Sequence, residues 1–362
     1  MAASVQGAAA QGNPFDDLVW PADSTCNART GYSTDQLYSH FEEYKLELFD
    51  AVTPLPGYAR ATEEMKRFYL IFVYIHLHPL TQNFSAVLRI AGEGGGANKY
   101  WYDRYCRPIA WKLGQVMREI HPEDRFNLMN YCPFFSDRIT EIIDTLPVRI
   151  ACLNSMINNI SYNPKYAACI IKLTIACTFT GIPTKFTINF GIQHDGRIAF
   201  EEEGLSWEER LEWEWSMADG PYESLPRCFL KHRPQAIPGT NPIQYAPLTQ
   251  NQLADNWLIE FYRGRIEHIN AQFVAHDLFN GRRFRGTYQD LVAYINITMH
   301  ATTAQIRDFE PTRQREGFGP FPHPLSALRS QNGCCPSFAG VEPGVHQDTA
   351  RTPPGSYQSG TN

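Results

Sequence analysis

The sequence has no surplus of positive charge. It sets 32 Lys and Arg against 38 Asp and Glu, a formal charge of -6 over 362 residues. No whole-chain basic field would therefore hold it on nucleic acid or anionic lipid, and any polyanion must be met locally. Long apolar runs are lacking too. The greasiest, Phe68 to Ile75, is closed by His76, His78 and Pro79 and is far shorter than the roughly 20 residues that span a bilayer. The second, Tyr166 to Ile182, carries Lys172 at its middle, so no membrane crossing is expected. Met1 to Gly12 hold neither Lys nor Arg nor an apolar stretch, so no secretory signal is read there and export is not expected. The nine cysteines, at 26, 106, 132, 152, 169, 177, 228, 334 and 335, form no C-x-x-C pair. They read as reduced thiols in an intracellular compartment, several of them in the core, rather than as zinc or redox ligands. No G-x-S-x-G elbow occurs, which weighs against an α/β hydrolase. Nor is there a fixed-period repeat that would suggest a solenoid or propeller.

What is present is enough apolar material, 43% of the chain, for a packed core of two or three domains. Residues 1–30 are Ala, Gly, Asn and Pro rich without period, and the last 52, from Pro311, hold 8 Pro and 7 Gly. Both ends, 1–30 and 311–362, are expected to be disordered tails. Ser33 to Gln36 forms a capping-box pattern ahead of apolar Leu37, Phe41, Tyr44 and Leu48, which predicts a helix start. Helical pattern continues from Thr62 to His78 and from Lys99 to Ile120, with the break AGEGGGANK between them. The region 31–125 is thus all-helical. The period then shortens: Arg138 to Asp144, Ala167 to Thr178, Lys185 to Ile192 and Leu211 to Met217 read as strands. In the third of these, Phe186, Ile188, Phe190 and Ile192 alternate with Lys185, Thr187 and Asn189. Helices are expected again over Leu253 to Phe279 and Tyr288 to Asp308.

Three acids stand where this pattern changes. Asp144 closes a strand, Asp219 follows one, and Glu267 lies in a helix. A carboxylate at an apolar strand end is costly unless it meets a cation. Three acids converging would make an all-oxygen site suited to Mg²⁺ or Mn²⁺. Taken singly, each is also compatible with a cap, a turn or a solvated face.

The words around them are IIDTLPVRI (142–150), YNPKYAACIIKLTIACTFTGIPTKFTINFGIQHD (162–195), ADGPYESLP (218–226), YRGRIEH (262–268) and HDLFNGRRFRGTYQDLVAYINITMHAT (276–302). In this order they resemble the DDE transposases of the PIF/Harbinger group, and more closely their fungal-type DDE endonuclease relatives. The resemblance implies an α/β fold: a ribonuclease H-like catalytic core over 138–308, a mixed sheet flanked by helices, preceded by the helical region with a degenerate helix-turn-helix. It implies that Asp144, Asp219 and Glu267 are catalytic and hold two divalent metal ions, Mg²⁺ or Mn²⁺, for phosphodiester cleavage and strand transfer. Asp195 matches a further, secondary acid, for which a structural role is as compatible as metal ligation. The implied partners are DNA, a Myb-like DNA-binding protein and, compatibly, further copies of the chain. The implied location is the nucleus, or the cytoplasm before import. A domesticated, catalytically silent scaffold that binds DNA or protein is the alternative.

Basic residues near these words are candidate DNA-backbone contacts. Arg263 precedes Glu267 by four, which reads either as an i, i+4 ion pair or as a phosphate ligand. Arg282, Arg283 and Arg285 form the densest basic cluster, and from Phe261 to Tyr288 five Arg face two acids, a local track for phosphates. From Glu63 to Arg118 eight bases face four acids, although Trp101 and Tyr102 in this stretch read as core. His194 and His268 read as packing or hydrogen-bonding groups. Glu201 to Glu214, with seven acids and Arg210 alone as a base, reads as a solvated face or a dock for a basic partner.

Overall fold

The computed structural model describes residues 23–49, 60–78, 99–127, 130, 139–151, 159–198, 211–222, 225, 227–280 and 284–309. The chain divides into two units, Met1–Pro320 and Phe321–Asn362, and every described residue belongs to the first.

The helical region starts earlier than its composition suggests. Residues of the expected tail form α1 (Asp23–Thr30), in which Cys26 and Thr30 are buried. α2 (Thr34–Phe49) begins where the capping pattern places it: the Gln36 N–H donates to Ser33 Oγ at 3.1 Å, and Leu37, Phe41, Tyr44 and Leu48 all turn inward. α3 (Arg60–Leu77) buries the run Phe68 to Val73. The expected helix from Lys99 to Ile120 is two helices, α4 (Lys99–Tyr105) and α5 (Arg107–Val116). Pro108, at the start of α5, has no N–H to donate and disfavours helical geometry in the residue before it. The Ala91 to Lys99 break lies, apart from Lys99, outside the described residues. Tyr102 is core, as its type suggested, stacked on Tyr74 at 4.5 Å between centroids.

The strands are β1 (Ile139–Arg149), β2 (Tyr162–Asn163), β3 (Ala168–Cys177), β4 (Pro183–Phe190), β5 (Trp215–Ala218) and β6 (Cys228–Leu230). They make one mixed sheet. β3 lies antiparallel to β1 and β4, β5 runs parallel to β1, and β6 runs parallel to β5. A four-residue turn of helix, α6 (Asp195–Ile198), follows β4. α7 (Gln250–Val274) and α8 (Tyr288–Ala304) close the unit, each opened by a Thr capping box, and a π-helical turn, Gln305–Phe309, extends α8.

Two strand expectations are corrected. β1 does not end at Asp144 but runs on to Arg149, because β3 pairs it along that whole length. Beyond Arg149 the chain meets Phe284: the Ala151 N–H donates to the Phe284 carbonyl at 2.8 Å, and Ile150 bridges Phe284. The strand expected from Leu211 begins only at Trp215. Leu211 to Glu214 turn back instead, and Glu214, read as part of a solvated acidic face, is fully buried. Its carboxylate accepts from Arg125 Nε at 2.9 Å and Thr140 Oγ1 at 3.2 Å. Residues 201–210 of that acidic stretch lie outside the described residues.

β4 spans the alternating segment, but its burial does not alternate: Phe186, Ile188 and Phe190 are half-buried, Thr187 on the other face is buried, and Ile192 falls past the strand and is exposed. Phe190 stacks on Tyr288, and Phe186 meets His300 edge-on. α8 thus covers the apolar face of β4, and its other side is set against α5. There a Cβ on Gly114 would come within 2.8 Å of the Ala293 carbonyl oxygen. The helical region and the α/β region therefore share a core within one unit. Among the described residues no helix is long and apolar enough to cross a membrane.

Candidate acidic site

Side chains alternate across a strand, so the two faces of β1 can be separated. Ile143 and Thr145 face one side. Ile143 joins Ala176, Ala218, Tyr222 and Leu225 in a buried cluster, and Thr145 Oγ1 meets Tyr222 Oη at 2.5 Å. Asp144 faces the other side, toward α7, where Asn270 Nδ2 donates to its Oδ2 at 3.3 Å.

Asp219 arrives beside it through register. Ile143 aligns with Ala218 across the parallel pair, and one further residue on each strand sets Asp144 next to Asp219, about 4.8 Å away in strand spacing. Glu267 comes from α7. Arg263, Glu267 and Asn270 stand at i, i+4 and i+7, one stripe of the helix, beside the buried row Ile259, Tyr262, Ile266 and Ile269. Arg263 Nη1 lies 3.7 Å from Asp219 Oδ1, which also accepts the Gly220 N–H at 2.8 Å. The charged partner of Arg263 is thus Asp219 rather than the i, i+4 Glu267 that the sequence suggested.

Asp144 registers all of these charges. Its carboxyl is held above the ordinary carboxylate range, first by burial and then by the negative charges of Asp219 and Glu267, against the Thr145 amide and Arg263. The set is graded in exposure. Asp144 is partly buried, the Asp219 side chain is 47% exposed, and Glu267 is on the surface. One side of the group is therefore open to a large ligand.

The three carboxylates are neighbours but not in contact. Among the described residues the group whose ligand atoms all lie within 4.8 Å is His40, Glu43 and Glu119, while the three acids at the sheet stand wider apart. Arg263 takes up a polar contact with Asp219, and Asn270 one with Asp144. The donor set nevertheless fits a hard divalent cation, being all oxygen. Asn270 Oδ1, buried and without a hydrogen-bond partner, is a further oxygen on the same stripe.

Asp195 is separated from this group. Lys172 lies on the opposite face of β3 from Ile175, the residue that pairs with Asp144, and its Nζ is 2.8 Å from Asp195 Oδ1. Lys172 also donates to the Gln193 carbonyl. The ion pair ties α6 to the sheet, and of the two roles open for Asp195 this is the structural one. His194 and His268 are exposed. Arg285 is exposed, beside the Phe284 bridge, while Arg282 and Arg283 lie outside the described residues.

Two neighbours were missed in the sequence. Asn270 could have been found from its i+7 spacing to Arg263. Arg233 had no local signal: its guanidinium closes over Gly220 so tightly that a Cβ there would overlap it. Comparison with protein-family models, curated proteins and solved structures returns no match.

Proposed function

We propose that the protein is a metal-dependent DNA endonuclease or transposase of the DDE type. The observation that carries this reading is the approach of three acids from separate elements, Asp144 on β1, Asp219 just past the end of the parallel strand β5 and Glu267 on α7, with the charges of the last two acting on the partly buried Asp144 carboxyl. The sheet supports it. It is mixed, with β3 antiparallel to β1 and β4 and with β5 and β6 parallel to β1, and helices flank it, which is compatible with the α/β fold that the sequence resemblance implies.

Asp144, Asp219 and Glu267 would hold Mg²⁺ or Mn²⁺, which when bound stabilise the attacking and leaving oxygens of a phosphodiester. Asn270 fixes the orientation of Asp144. Arg263 balances part of the negative charge and lies where a substrate phosphate would approach Asp219. Gly220 leaves room for Arg233 beside the same acid. The DNA backbone, a Myb-like companion and a nuclear site of action belong to the same reading.

The wider spacing of the acids and the hold of Arg263 on Asp219 favour a second reading, a silent scaffold that keeps the fold. Cleavage of DNA carrying the element's ends, in Mg²⁺ or Mn²⁺ and with any Myb-like companion present, separates the two. Glu267→Gln nearly conserves volume but removes a negative ligand from the metal site, and is expected to lower cleavage by orders of magnitude while leaving DNA binding in place. A wild type that binds but cuts no better than Glu267→Gln would decide for the scaffold.

A further inference from the structure

A second polar cluster lies in the helical region, and none of its residues belongs to the acid set on the sheet. His40 and Glu43 stand at i, i+3 on α2, and Glu119 lies just beyond α5. His40 is only 3% exposed, yet its Nε2 makes no hydrogen bond. Buried polar atoms are nearly always satisfied, so this ring calls for a partner. Its Nδ1 points to Glu119, 3.3 Å from Oε1, and its ring stacks on Tyr44.

Glu119 is held firmly in place. Its N–H donates to His300 Nδ1 at 3.0 Å, its carbonyl accepts from Arg307 Nη2 at 2.6 Å, and its carboxylate accepts from Tyr44 Oη at 3.0 Å. Glu43 is exposed and completes the group, the three ligand atoms lying within 4.8 Å of one another.

We infer that His40, Glu43 and Glu119 form a binding site for a first-row divalent cation, of which Zn²⁺ is the best fit. One imidazole nitrogen and two carboxylate oxygens make a mixed set that Zn²⁺ accepts and that Mg²⁺ and Ca²⁺ do not prefer. Two ligands each about 2.1 Å from a tetrahedral ion stand about 3.4 Å apart, and the His40–Glu119 pair is already at 3.3 Å. The exposed side of Glu43 leaves the fourth position to water. Bound there, the ion ties α2 to the segment between α5 and the end of α8, giving the helical region a cross-link that its reduced cysteines do not supply.

The test uses the full-length chain carrying Asp144→Asn, Asp219→Asn and Glu267→Gln, so that the acids on the sheet do not compete. Zn²⁺ titration is expected to show one saturable equivalent that raises the thermal midpoint. Adding Glu43→Gln, an exposed change that leaves the core intact, should weaken that binding at least tenfold and remove the thermal shift. Co²⁺ should give the visible bands of a nitrogen and oxygen site, without a thiolate charge-transfer band. Equal Zn²⁺ affinity with and without Glu43→Gln, or a Co²⁺ spectrum dominated by thiolate, would overturn the assignment.

Discussion

Asp144 is where the electrostatics of the molecule concentrate. A carboxyl whose pKa is raised on folding binds its proton more tightly in the native state than in the unfolded one. The stability it confers is full below the unfolded value, about 3.9, and is lost as pH rises through the higher native value. In the absence of divalent cations, Asp144→Asn should therefore raise the thermal midpoint at neutral pH and flatten the fall in stability across that window. Melting curves of both proteins from acid to neutral pH check this. A lower midpoint for Asp144→Asn at neutral pH would mean that Arg263 and Asn270 outweigh burial and the neighbouring acids. The residue scale is also where the sequence was most legible. Asp144, Asp219 and Glu267 could be named from the words around them, whereas Asn270 and Arg233 enter only through a helical stripe and a close approach to Gly220. Glu214 was misread because an acidic run carries no sign of which member finds Arg125 from a distant turn.

At the scale of elements, a close junction between helices is the crossing of α5 and α8. Gly114 lets the two backbones approach so closely that any side chain there would meet the Ala293 carbonyl and Cα. Gly114→Ala is a helix-favouring change in isolation, by about 0.8–1.0 kcal/mol, yet here overpacking against backbone should dominate and cost about 1–3 kcal/mol. Urea unfolding decides the sign, and a stabilised Gly114→Ala would show that the helices can slide apart freely. Elements with local punctuation were legible. Ser33 announces α2, the alternation of Phe186, Ile188 and Phe190 announces β4, and a nearly continuous apolar run, buried at every position, marks β3. The extension of β1 past Asp144 was not, because Thr145 to Arg149 contains Pro147 and shows no alternation, and β3 as a partner holds it extended. The early start of β5 expected at Leu211 failed for a similar reason: period alone does not distinguish a strand from a turn whose one buried side chain is charged.

At the scale of the whole molecule, the proposed function requires a chain of net charge -6 to hold a polyanion. The basic run at 282–285 is the natural place for it. Changing Arg282, Arg283 and Arg285 together to Ala should weaken DNA affinity and reduce the log-log salt slope by about 0.9 for each phosphate no longer neutralised, measured by fluorescence anisotropy across a salt series. An unchanged slope would move the DNA track elsewhere, with Arg233 and Arg263 as the next residues to vary. This scale was the least legible in the sequence, since the shared core of the helical and α/β regions rests on contacts such as Gln36 Nε2 with the Ala301 carbonyl, 2.8 Å across 265 residues.

The pairing of the end of β1 with Phe284 also sets a length. From Asp144 to Ile150 the strand advances six residues, roughly 20 Å at about 3.3 Å each, and there it is pinned to the residue flanked by Arg283 and Arg285. At about 3.4 Å per nucleotide along one strand of a duplex, that is a separation of about six nucleotides. β1 thus sets the distance along the sheet between Asp144 and the described residues Phe284 and Arg285. Under the proposed function, a duplex laid along it would meet Arg285 about half a helical turn from the bond presented to Asp144.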